Sequence, residues 1–138
     1  GTLLKDGIGD TIRVSLTSDP LEEVIAAKKI LNALGIRKDS VNLVSCPTCA
    51  RTKINIIPIV EELEPLLANI KKDITVAVMG CPVNGPGESK NADIGISMSK
   101  EYAYLFKKGK VIKKLDRNEV VEELLKEIER MWSNDKII

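Results

Sequence analysis

Ile74 to Met79 is a continuous run of apolar and β-branched residues with no polar face to offer water. Such a run predicts a central strand, covered on both sides, and so an α/β sheet with helices packed on it. The run ends at Gly80-Cys81-Pro82-Val83-Asn84-Gly85-Pro86-Gly87-Glu88, and a second short run, Ile94 to Met98, leaves that loop. Upstream, the apolar stretch from Val41 feeds a similar loop, Cys46-Pro47-Thr48-Cys49. The chain has 3 cysteines, and all of them stand in these two loops.

The other elements follow from periodicity and punctuation. Thr11 to Leu16 alternates, which predicts a strand with Ile12, Val14 and Leu16 on one face. Asp19-Pro20-Leu21-Glu22 is a helix start, with Leu21, Val24, Ile25 and Leu31 as its apolar stripe and Gly35 as its stop. Ile56, Val60, Leu63, Leu67 and Ile70 predict a helix over about residues 55–70, bent near Pro65 because an interior proline cannot donate to the helix ladder. Tyr102 to Phe106 and Lys110 to Leu115 flank Lys107-Lys108-Gly109 and predict a hairpin. Asp116-Arg117-Asn118-Glu119 then caps a last helix striped by Val121, Leu124, Leu125 and Ile128. Strand–helix–strand order predicts parallel pairing.

Composition narrows the function. At 138 residues the chain is one domain, or one domain with an appendage. A formal net charge of +1 and 3% aromatics give neither the field nor the stacking surface that nucleic acid binding uses. No apolar run approaches a membrane span, and no secretory signal pattern is visible. An odd number of cysteines argues against a secreted disulfide scaffold and for a reducing cytoplasm. The chain has no histidine, which removes Ser/His/Asp and Cys/His catalysis and every zinc site that needs imidazole. The opening on Gly1 without Met suggests a fragment.

Cys-x-x-Cys is a chelate spacing shared by zinc, iron–sulfur and thiol redox sites. Cys81 lies one helix and one strand downstream of Cys49. In a βαβ unit both loops fall at the carboxyl ends of parallel strands, so three thiolates can converge on one metal. A tetrahedral zinc or a cubane cluster takes four ligands, and Glu88 is the carboxylate nearest Cys81 in sequence. Gly85 and Gly87 allow the backbone to fold back so that Glu88 reaches the same metal, and glycine amides can donate to sulfur. The competing readings are Glu88 as a loop carboxylate in solvent, a structural zinc module, and a thiol oxidoreductase using Cys46 and Cys49 alone.

Cys46-Pro-Thr-Cys49-Ala-Arg-Thr and Met79-Gly-Cys-Pro-Val-Asn-Gly-Pro-Gly-Glu88, followed by Ala92-Asp93-Ile94-Gly95-Ile96, closely resemble the 4-hydroxy-3-methylbut-2-enyl diphosphate synthase family of the non-mevalonate isoprenoid pathway. The resemblance covers essentially the whole chain, with Ala50 a departure where relatives often carry Gly. It implies that residues 1–37 are the last βα unit of an N-terminal (β/α)8 barrel plus linker, standing outside the core of the rest. Residues 38–138 would be an iron–sulfur domain similar to sulfite-reductase-like α/β domains. It further implies a [4Fe-4S] cluster held by Cys46, Cys49, Cys81 and Glu88. Asn84 would face the open side of the cluster and the substrate, and Arg13 and Ser15 would lie near a substrate diphosphate, with Arg13 otherwise a surface charge on a strand. The implied reaction opens 2-C-methyl-D-erythritol 2,4-cyclodiphosphate with two electrons from ferredoxin or flavodoxin and loss of water. The implied assembly is a homodimer in which one subunit's cluster domain covers the other's barrel.

Overall fold

A computed structural model describes residues 1–52, 54–82, 87 and 90–133. Asn84 and Glu88 lie outside the described residues. The architecture is a small mixed α/β domain built on a five-stranded sheet in the order β1-β2-β3-β4-β5. The strands are β1 (Val41–Ser45), β2 (Ile74–Met79), β3 (Ile94–Met98), β4 (Tyr102–Lys107) and β5 (Lys110–Asp116). Among the described residues the helices are α1 (Thr2–Lys5), α2 (Pro20–Ala33), α3 (Ile57–Ala68) and α4 (Val120–Ser133), the last entered through a 3-10 turn at Arg117–Glu119.

The expected parallel pairing is present. β1 pairs parallel with β2 from Val41 opposite Ile74 to Ser45 opposite Val78. β2 pairs parallel with β3 from Val76 opposite Ile94 to Met79 opposite Ser97. β4 and β5 add an antiparallel hairpin. Its two-residue turn has Lys108 at φ 47 and Gly109 at φ 74, the doubly positive geometry of a type I′ turn.

Side-chain alternation divides the buried residues between two layers. Val76, Val78, Ile94, Ile96, Met98, Ala103 and Leu105 form the main core with Leu63 and Leu67 of α3 and Val120, Leu124 and Ile128 of α4. Ala77, Met79, Phe106 and Ala92 form a smaller cluster on the opposite side of the sheet. β2 is thus covered on both faces, as its unbroken apolar sequence requires. Gly95 is needed in the second layer. A Cβ there would lie 2.5 Å from the Ala77 carbonyl oxygen and 2.5 Å from Cζ of Phe106. α3 continues through Pro65, which is exposed and stands in the helix's last turn.

Two helix ends behave as their sequences predict. The Asp19 carboxylate accepts from the Leu21 amide at 2.8 Å and caps α2. Gly35, at φ 68, closes its far end while the Ile36 amide donates to the Leu31 carbonyl. The strand expected over 11–16 does not form. Among the described residues no neighbouring strand takes up its backbone groups, and Leu16 remains 46% exposed, so alternation alone does not make a strand. No residue before Val41 is buried. Among the described residues no helix is long and apolar enough to cross a membrane.

Candidate metal centre

The parallel register of β1 and β2 brings their carboxyl ends side by side, and both cysteine loops begin there. The Cys46 amide donates to the Val78 carbonyl at 3.0 Å, which carries the ladder one residue beyond β1 and sets Cys46 beside Met79. Cys46 is half-buried and packs against both the main core and the smaller cluster. Cys81, two residues past β2, is 7% exposed.

Thr48 then takes φ 54, a left-handed conformation rarely adopted by a β-branched residue, and Cys49 follows it exposed at the surface. The Thr52 amide closes a turn onto the Cys49 carbonyl at 2.9 Å. That turn returns the Thr52 hydroxyl to within 3.8 Å of the Cys46 sulfur.

The electrostatics of Cys46 follow from these neighbours. Burial pushes its thiol up, but backbone N–H groups of Gly80, Thr48 and Cys49 and the Thr52 hydroxyl all favour the thiolate. The net result is a pKa below the ordinary thiol value. Gly80 holds this arrangement together. A Cβ on it would lie 2.7 Å from Cγ2 of Thr52 and 3.2 Å from its hydroxyl, so only glycine lets the Thr52 turn sit this close to β2.

Among the described residues no three His, Cys, Asp or Glu side chains come together as a group that could hold a metal. The donor chemistry nonetheless fits a thiolate-bound group. A half-buried thiol biased toward the thiolate, at a sheet end shared with the buried Cys81, suits a thiolate-ligated cluster.

The other expected site residues are distributed differently. Arg13 and Ser15 are exposed on the segment before α2 that forms no strand, and neither makes a hydrogen bond or ion pair among the described residues. Gly80 and Thr52 shape the Cys46 loop although neither is a ligand type. A glycine directly between a buried strand and a cysteine marks close backbone approach, so Gly80 has a signal in the sequence. Thr52 carries no comparable signal.

Comparison with known proteins supplies the context. The family model described as GcpE protein C-terminal domain matches residues 42–130. A protein of Ruminiclostridium cellulolyticum named 4-hydroxy-3-methylbut-2-en-1-yl diphosphate synthase (flavodoxin) is 56% identical over 131 residues, which cover 95% of this chain and 37% of that protein. Proteins with the same name from Clostridium tetani and Aquifex aeolicus are 55% and 51% identical, again over 95% of this chain and 38% and 37% of theirs. The chain therefore spans less than two-fifths of the length of these relatives.

Proposed function

The chain belongs to the GcpE protein C-terminal domain family, and from that premise we propose that it is the cluster-bearing part of a flavodoxin-dependent 4-hydroxy-3-methylbut-2-enyl diphosphate synthase. In this reading Cys46, Cys49, Cys81 and Glu88 hold a [4Fe-4S] cluster. When bound, such a cluster supplies electrons and an iron that acts as a Lewis acid. The observation that carries the reading is the placement of the two cysteine loops at the shared carboxyl end of β1 and β2, with Cys46 half-buried and Cys81 buried there.

The chain's own residues divide the work. Cys46 and Cys81 are anchored by the sheet end and provide the fixed ligands. Cys49, on the exposed turn, closes over from the solvent side. Thiolates bind iron firmly, whereas the carboxylate of Glu88 is the harder, more readily displaced donor, so the substrate side of the site is the Glu88 side. Asn84, four residues before Glu88, is the amide proposed to orient a substrate hydroxyl there. Arg13 and Ser15 are the polar groups proposed to meet a substrate diphosphate.

The rest of the proposal concerns the complete enzyme. Its substrate is 2-C-methyl-D-erythritol 2,4-cyclodiphosphate, opened by two electrons from flavodoxin, in the cytoplasm. Residues 1–37 belong to a preceding barrel unit and 38–138 to the cluster domain, with a second subunit covering the site in a homodimer. Anaerobic reconstitution with ferrous iron and sulfide tests the central claim. Iron and acid-labile sulfide bound in equal amounts are expected, together with their loss in Cys46→Ser and Cys81→Ser. Binding of zinc alone, or a reversible Cys46–Cys49 disulfide that needs neither Cys81 nor iron, would replace this reading.

A further inference from the structure

We propose that Ser97 is a tuning residue of the group held by the cysteine loops: its hydroxyl donates a hydrogen bond toward the sulfur atoms on the Cys81 side and raises that group's reduction potential. The inference rests on the cluster reading given above and concerns a residue that reading does not use.

Ser97 is 0% exposed, and its hydroxyl oxygen has no hydrogen-bond partner among the described residues. A buried hydroxyl with nothing to bond to costs stability, and an alanine at the same position would avoid that cost. Small apolar side chains are already accommodated in this layer, at Ala77 and Ala92. The chain nonetheless places an alcohol between Ile96 and Met98 in an otherwise apolar strand.

Register says where that alcohol lies. Ser97 stands opposite Met79 on β2 and opposite Tyr104 on β4. Alternation sets it on the face away from Ile94, Ile96 and Met98, which belong to the main core, and so on the face of Ala77, Met79 and Phe106. Cys46 packs on that same cluster, beside Met79. Across the sheet at this level the order is therefore Cys46, Met79, Ser97. Cys81 follows Met79 by two residues and is itself buried. The orphan donor thus shares the layer on which Cys46 packs, at the carboxyl end of the parallel strands.

A thiolate-bound cluster changes the meaning of such a donor. Cluster and cysteine sulfurs carry more negative charge after reduction, so an O–H directed at them stabilises the reduced state more than the oxidised one. The Thr52 hydroxyl and the amides around Cys46 serve one side of the site. Ser97 is the buried hydroxyl available from the other strand. The cost it carries in the protein alone is then offset only once the group is bound.

The test compares wild type with Ser97→Ala, a substitution that removes one atom and leaves the packing intact. Both proteins are reconstituted anaerobically with iron and sulfide, assayed for both elements, and titrated with dithionite while absorbance and electron paramagnetic resonance are followed. The midpoint of Ser97→Ala is expected to move to more negative potential, so that the reduced-to-oxidised ratio at the wild-type midpoint falls by up to tenfold, or about 59 mV for a one-electron couple. Without iron, Ser97→Ala is expected to melt higher than wild type. An unchanged or more positive midpoint in a fully loaded variant overturns the Ser97 role and leaves the cluster reading standing. Failure of the variant alone to load also overturns it, because the hydroxyl would then hold the group rather than tune it. Failure of wild type to load overturns both.

Discussion

Burial pushes the Cys46 thiol up, but the backbone of Gly80 and of its own loop and the Thr52 hydroxyl bring it below the ordinary thiol value, with no charged neighbour among the causes. Gly80 is therefore a control point for the site although it carries no functional group. In Gly80→Ala the new Cβ would strike Cγ2 of Thr52, and the Thr52 turn must retreat. The expected loss is about 1–3 kcal/mol of stability by overpacking, together with weaker iron retention after reconstitution. Thr52→Ser deletes the methyl group that would be struck. The double variant should therefore melt closer to wild type than Gly80→Ala does, and thermal denaturation of the three proteins checks this. A double variant no better than Gly80→Ala would show that the strain lies against the hydroxyl that serine keeps, 3.2 Å from the same point.

At the scale of elements, β3 and the β4–β5 hairpin each depend on one backbone position. Gly95 faces Ala77 and the Phe106 ring so closely that Gly95→Ala forces β2, β3 or Phe106 to move, because the nearest atom is a backbone carbonyl. A loss near the top of the overpacking range, about 3 kcal/mol or more, is expected in urea denaturation. Lys108 sits at φ 47 in the type I′ turn, where a lysine has no advantage. Lys108→Asn creates Asn-Gly, the sequence that such turns prefer, and is expected to stabilise the domain by about 1 kcal/mol, read as a raised urea midpoint at unchanged slope. These positions also show what the sequence makes legible. Runs with a strong local signal, such as Ile74 to Met79, the Asp19-Pro20 cap and the Gly109 hairpin, became the elements they predict. Thr11 to Leu16 has the same alternation as a strand, but pairing is a tertiary property and no partner strand is present for it. The site divides in the same way. The two cysteine loops were readable from Pro and Gly beside each thiol. The close approach of Gly80 to Thr52 beside Cys46 was not, because it depends on the register between two strands that no local pattern encodes.

At the scale of the whole molecule, the groove beside α2 stands apart from the sheet end where the cysteine loops begin. The groove between α2, β1 and α3 is lined by Lys28, Arg37, Val41, Leu43 and Leu67, so it lies toward the start of β1, away from the cysteines that follow its end. A formal net charge of +1 provides no general field to concentrate a diphosphate. Arg13 and Ser15, the polar residues proposed to meet that diphosphate, are exposed on a segment that the sheet does not order. Catalysis requires the reacting centre and the electron source to be held together, and a misplacement of about 1 Å can cost a hundredfold in rate. The cluster-loaded chain by itself is therefore expected to accept electrons, seen as bleaching of its visible absorbance with dithionite, and yet to form no product from the cyclodiphosphate above a cluster-free control. Reduced flavodoxin should give the same result, since the missing component is substrate positioning rather than electrons. Product that rises in proportion to cluster content would show that the described residues bind the diphosphate after all, and Arg13→Ala would then be the first variant to lose it.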